Sequence, residues 1–79
     1  MRPLHEYDQV RVVKLLTPDR HFSGTDSVCR PPRVGDIATI CHELSPDDHT
    51  AEVIVEMVDT HGNTIWLAQF EREELELAT

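Results

Sequence analysis

The chain has 79 residues, of which 39% are apolar and 28% charged, and it carries a net charge of −8. That length supports one domain (residues 1–79) with a single thin core, because two cores of half the size would sit at the lower limit of unaided folding. The acidic balance argues against nucleic acid and anionic membrane as partners, since both need a cationic footprint.

No apolar run approaches the ~18 residues of a membrane span. Met1-Arg2-Pro3-Leu4-His5-Glu6 lacks the hydrophobic stretch of a secretory leader and reads as a flexible N-terminus. Two cysteines, Cys29 and Cys41, are too few for a secreted disulfide framework, so the expectation is a soluble cytoplasmic protein with reduced thiols.

Apolar residues recur with a period near two. Tyr7 to Leu16 alternates and is rich in β-branched residues, which predicts a first strand with Val10 and Val12 inward. Residues 17–35 show no period and carry Pro18, Gly24, Pro31, Pro32 and Gly35. They read as one long loop anchored by Phe22 and Val28, longer than most structureless connections. Asp36 to Leu44 predicts a second strand, followed by a polar turn at Ser45-Pro46-Asp47-Asp48-His49.

The third strand, Ala51 to Val58, places Val53, Val55 and Met57 on one face and Glu52, Ile54 and Glu56 on the other. Asp59-Thr60-His61-Gly62-Asn63 is a hairpin loop with Gly62 suited to its left-handed position. Thr64 to Phe70 is a fourth strand read with Ile65 and Leu67 inward. Glu71 to Glu74 is then a single 3₁₀ turn, and Leu75-Glu76-Leu77 a short closing strand. The fold class expected is all-β, a small SH3-like five-stranded barrel with a long first loop and a 3₁₀ turn before the last strand, closure removing the exposed edges.

Tyr7-Asp8-x-Val10-x-Val12, Val34-Gly35-Asp36-Ile37-Ala38-Thr39-Ile40 and Glu56-Met57-Val58-Asp59-x-x-Gly62-x-Thr64, leading into Glu73-Glu74-Leu75-Glu76, form a pattern over nearly the whole chain. It resembles a bacterial family of small uncharacterised proteins, a domain-of-unknown-function family expected to be SH3-like. The chain departs from that pattern in a longer loop over Thr17 to Arg33 with extra basic residues, and in Ala38 where glycine is customary. A purely architectural likeness extends to the SH3-like ferredoxin-docking subunit of NADH-dehydrogenase-like complexes.

Charge is divided unevenly: residues 1–33 sum to +2 and residues 34–79 to −10. This suits a protein that docks by charge, and equally one with two solvated faces.

Cys41-His42 places a thiol next to a base, but adjacent strand residues face opposite ways and cannot form a dyad. Cys29 and Cys41 do not have zinc-knuckle spacing. A weak metal site from His42, Asp48 and His49 at one end of the barrel is the best cation candidate, against the plainer reading of solvated turn residues. Glu71, Glu73, Glu74 and Glu76 read as a solvated face, and no phosphate loop or nucleophile elbow occurs, so neither catalysis nor a cofactor is expected.

The site expected is a protein-binding one. Arg20, Phe22, Arg30 and Arg33 in the long loop combine charge with an aromatic ring, and Trp66 and Ile54 share an outward parity on neighbouring strands. The alternative is that the loop folds over Trp66 and completes the core. The function expected is a non-catalytic interaction module with a protein partner or a second copy of itself as homodimer. The second reading is a small acidic antitoxin or immunity-type protein that neutralises a basic partner.

Overall fold

The computed structural model describes residues 4–45, 47–48 and 51–78. Its strands are β1 (Gln9–Val12), β2 (Phe22–Ser23), β3 (Ile37–Glu43), β4 (Val53–Val58), β5 (Thr64–Phe70) and β6 (Leu75–Leu77), with a 3₁₀ turn at Arg72–Glu74 before the last. The protein is therefore all-β, and no helix among the described residues is long and apolar enough to cross a membrane.

All pairings are antiparallel, in the order β2-β5-β4-β3-β1-β6. Two expectations are corrected here. Among the described residues the sheet has six strands instead of five, and it is open, with β2 and β6 as its edges in place of a closed barrel. The extra strand comes from the stretch read as structureless, because Phe22 and Ser23 pair with Ala68 and Leu67.

The remainder of that loop continues the cover along β5. The Thr25 N–H donates to the Thr64 carbonyl at 2.8 Å and the Arg30 N–H to that of Ile65 at 3.2 Å. Arg20 Nη1 donates to the Gln69 carbonyl at 2.7 Å. Backbone groups that an edge strand would leave open to other chains are thus engaged within the molecule. Gly24 makes this close approach feasible: a Cβ there would lie 2.8 Å from the Ile65 carbonyl oxygen and 2.9 Å from that of Thr64.

One face of the sheet forms the core, from Val10, Val12, Ala38, Ile40, Val53, Val55, Trp66, Ala68, Phe70 and Leu75. Val10 and Val12 are inward as expected, and Val53 and Val55 likewise. Strand β5 is inverted relative to the sequence reading: Trp66, Ala68 and Phe70 are buried, whereas Ile65 and Leu67 are only half-buried.

The cause is a bulge at the hairpin. Val58 pairs with Thr64 but Met57 pairs with Trp66, so Ile65 is an extra residue. One inserted residue moves every later side chain to the opposite face. A second irregularity, between Ile40 and His42, turns His42 outward and Glu43 inward. At the hairpin, Gly62 adopts a φ of 83°, the left-handed conformation expected of it.

Of residues 1–6, read as a flexible N-terminus, the described ones make contacts with the rest of the chain. Leu4 packs against the core, its carbonyl accepts a hydrogen bond from Arg72, and His5 Nδ1 lies 3.4 Å from Glu43. Residues 1–3 lie outside the described residues.

Candidate functional site

A carboxylate excluded from water must be met by donors or be neutralised. Among the described residues three acids are buried: Asp36, Glu43 and Glu74. Each is met by an arginine. Asp36 takes both Nη groups of Arg30 at 2.9 Å, the Arg33 backbone N–H at 2.9 Å and the Trp66 indole N–H at 2.9 Å. Glu74 takes Arg20, the Leu16 N–H at 2.8 Å and the Glu71 N–H at 2.9 Å. Glu43 takes Arg72 Nη2 at 3.2 Å.

Burial pushes all three carboxyls up, yet the donors outweigh it and hold each below the usual carboxylate range. The leading donors are Arg30, the Arg33 N–H and Trp66 for Asp36. They are Arg72, the Glu6 N–H and His5 for Glu43, and the Leu16 N–H, Arg20 and the Glu71 N–H for Glu74. The reading of Glu74 as part of a solvated face is thereby corrected, since it is 1% exposed.

The six residues expected to bind a protein are separated by the fold. Trp66 is 0% exposed; its ring centroid is 5.3 Å from that of Phe70. It is a core residue, not a surface anchor. Arg20 is also drawn inward: its side chain is 7% exposed against Glu74, with its guanidinium 4.0 Å above the Phe70 ring. Arg30 is fixed on Asp36. Both fasten the long loop to the sheet through these internal ion pairs. Arg33 stays exposed, and only its backbone is engaged, with Asp36.

Phe22 and Ile54 border the same depression, although Phe22 pairs with the inward Ala68 and Ile54 with the outward Gln69. They line one open, shallow groove with His21, Ser23, Leu67, Ala68 and Gln69. Phe22 is 38% exposed, while Ile54 and Leu67 are half-buried on the outer face of β4 and β5. Leu67 was missed because the bulge reverses its parity; Gln69, two residues on, was the sequence signal that this parity faces outward.

Beyond Gln69 and His21 the groove runs into a polar recess lined by Thr17, Asp19, Arg20, Glu52 and Glu74. On the other side of Phe22 a second cleft is formed by Leu15, Pro18, Pro31 and Pro32 together with Asp19 and Arg20.

The remaining candidates stay apart. Cys41 Sγ sits 3.8 Å from Glu56 Oε1, and His42 faces Glu6 instead, at 3.4 Å. Burial pushes the Cys41 thiol up, and the charge and hydrogen bond of Glu56 add to that, the reverse of what activates a thiolate. Among the described residues no group of three His, Cys, Asp or Glu side chains converges on a metal position. The cation candidate of His42, Asp48 and His49 includes His49, which lies outside the described residues.

The chain is thus an all-β domain built on one antiparallel sheet, with an open groove beside the β2–β5 pairing. Comparison with known proteins adds no relative: no family model, no curated protein and no solved structure matches this chain.

Proposed function

We propose that the protein is a non-catalytic protein-interaction module that docks a partner protein across the groove of Phe22, Ile54 and Leu67. The observation that carries this reading is the groove itself. It is bordered by Phe22, 38% exposed at the sheet edge, and by the half-buried aliphatic residues Ile54 and Leu67. An aromatic residue is the usual anchor of a protein contact.

We also read the architecture as SH3-like. With the two-residue β2 set aside, the order β5-β4-β3-β1-β6, the long first loop and the 3₁₀ turn before the last strand form the strand succession of that fold. Two free cysteines fit a reducing compartment such as the cytoplasm.

The test uses variants confined to the outer face. In Ile54→Thr/Leu67→Thr the β-branched replacements suit a strand, so the circular dichroism spectrum is expected to persist. Proteins cross-linked to the tagged wild-type chain in its host are expected to be lost from the variant, and from Phe22→Ser as a second, independent variant. An unchanged cross-linking profile in both folded variants refutes the groove as a docking surface.

A further inference from the structure

Of the described basic side chains, Arg11, Lys14, Arg20, Arg30 and Arg72 all have a carboxylate partner within the molecule. Arg33 alone among them has none. The acids are in excess, so several carboxylates have no internal cation, and two of these, Asp19 and Glu52, are exposed in the recess that adjoins the groove. The recess also contains Glu74, whose charge is met by Arg20. It therefore offers an incoming ligand two unmatched negative charges.

The geometry couples this recess to the apolar groove. His21 and Gln69 line both. Glu52 precedes Ile54 by two positions, on the same outward parity, and the ladder reaches it through the hydrogen bond from the Leu44 N–H to its carbonyl. Two residues along an extended chain span roughly 7 Å. An extended ligand lying along β4 would therefore match an apolar side chain to Ile54 and a cation, two positions on, to Glu52 and Asp19.

We infer that the partner presents a basic extended segment in which a bulky apolar residue is followed or preceded, two positions away, by lysine or arginine. This rests on the docking role of the Phe22–Ile54–Leu67 groove and adds the chemistry of what enters it. The apolar residue supplies burial. The cation supplies charge complementarity to Glu52 and Asp19.

The experiment selects a displayed library of random 12-residue peptides on the full chain and measures chosen peptides by fluorescence anisotropy. Enriched peptides are expected to pair Leu, Ile, Phe or Trp with Lys or Arg at a spacing of two. Their binding is expected to weaken roughly three- to tenfold in Asp19→Asn/Glu52→Gln, the sum of two exposed ion pairs. It is expected to weaken further as salt rises, and to disappear in Ile54→Thr/Leu67→Thr.

Enriched peptides that lack basic residues, or that bind Asp19→Asn/Glu52→Gln as well as wild type, overturn the inference and leave the docking groove standing. No enrichment, or binding indifferent to Ile54→Thr/Leu67→Thr, overturns both. Sedimentation that shows a dimer abolished by Ile54→Thr/Leu67→Thr makes a second copy the occupant, which overturns the inference alone.

Discussion

Single residues in this protein combine roles that larger proteins divide. Trp66 fills the core with its ring and at the same time donates its indole N–H to Asp36. Asp36 in turn fixes Arg30 and the Arg33 backbone, so one carboxylate joins the core to the long loop. Trp66→Phe retains most of the apolar volume but removes that donor. It is expected to destabilise by about 1–3 kcal/mol, the cost of weakening a buried charge-assisted hydrogen bond plus the volume lost. Trp66→Ala leaves a cavity as well and is expected to cost about 3–5 kcal/mol, a large part of the roughly 4–12 kcal/mol available to a domain of this length. Urea denaturation measures both; a Trp66→Ala chain as stable as wild type would show that the ring is not packed as described.

At the scale of elements, strand positions were legible in the sequence and one strand face was not. Alternation and β-branched content located β5 at Thr64–Phe70 and β6 at Leu75–Leu77, because a strand's period is a local property. Which parity of β5 faces inward is not local. Both carry large apolar residues, and the choice is made by the bulge that inserts Ile65 opposite the junction of Met57 and Val58. Buried Glu43 and Glu74 were equally hidden, since a carboxylate reads as solvent-exposed until the arginine that meets it is placed by tertiary structure.

The long loop is the element whose behaviour depends most on a single position. Gly24→Ala places a methyl group against two β5 carbonyls, which forces the loop away from the sheet at a cost of about 1–3 kcal/mol. Hydrogen exchange is expected to accelerate at the Thr25 and Arg30 amides, which donate to Thr64 and Ile65, and to stay unchanged at the β3–β4 pairing. Unaltered exchange at Thr25 and Arg30 would show that the loop does not depend on this contact.

Across the whole molecule, the division of charge between the two halves of the chain resolves into internal pairing. Arg11, Lys14, Arg20 and Arg30 from the first half meet Glu76, Glu73, Glu74 and Asp36 from the second. The asymmetry therefore ties the loop and β1 to the rest of the sheet. The exposed pairs contribute little, whereas loss of one partner from a buried pair strands a charge.

Stability should accordingly depend on pH in one direction. Asp36, Glu43 and Glu74 are held below the usual carboxylate range in the folded chain. A carboxyl depressed by folding binds protons more readily when unfolded. Its contribution is complete above the unfolded value, near 4 for such groups, and is lost as pH falls through the lower folded value. The melting temperature is expected to be nearly level from pH 7 to about pH 5 as far as these groups are concerned, and to drop steadily below about pH 4.5. Glu74→Gln removes one of the three titrations, so that variant is expected to melt lower than wild type at pH 7 and to lose less on acidification. A wild-type melting temperature that holds or rises down to pH 3 contradicts the buried pairing; an acid slope identical in Glu74→Gln removes Glu74 from it.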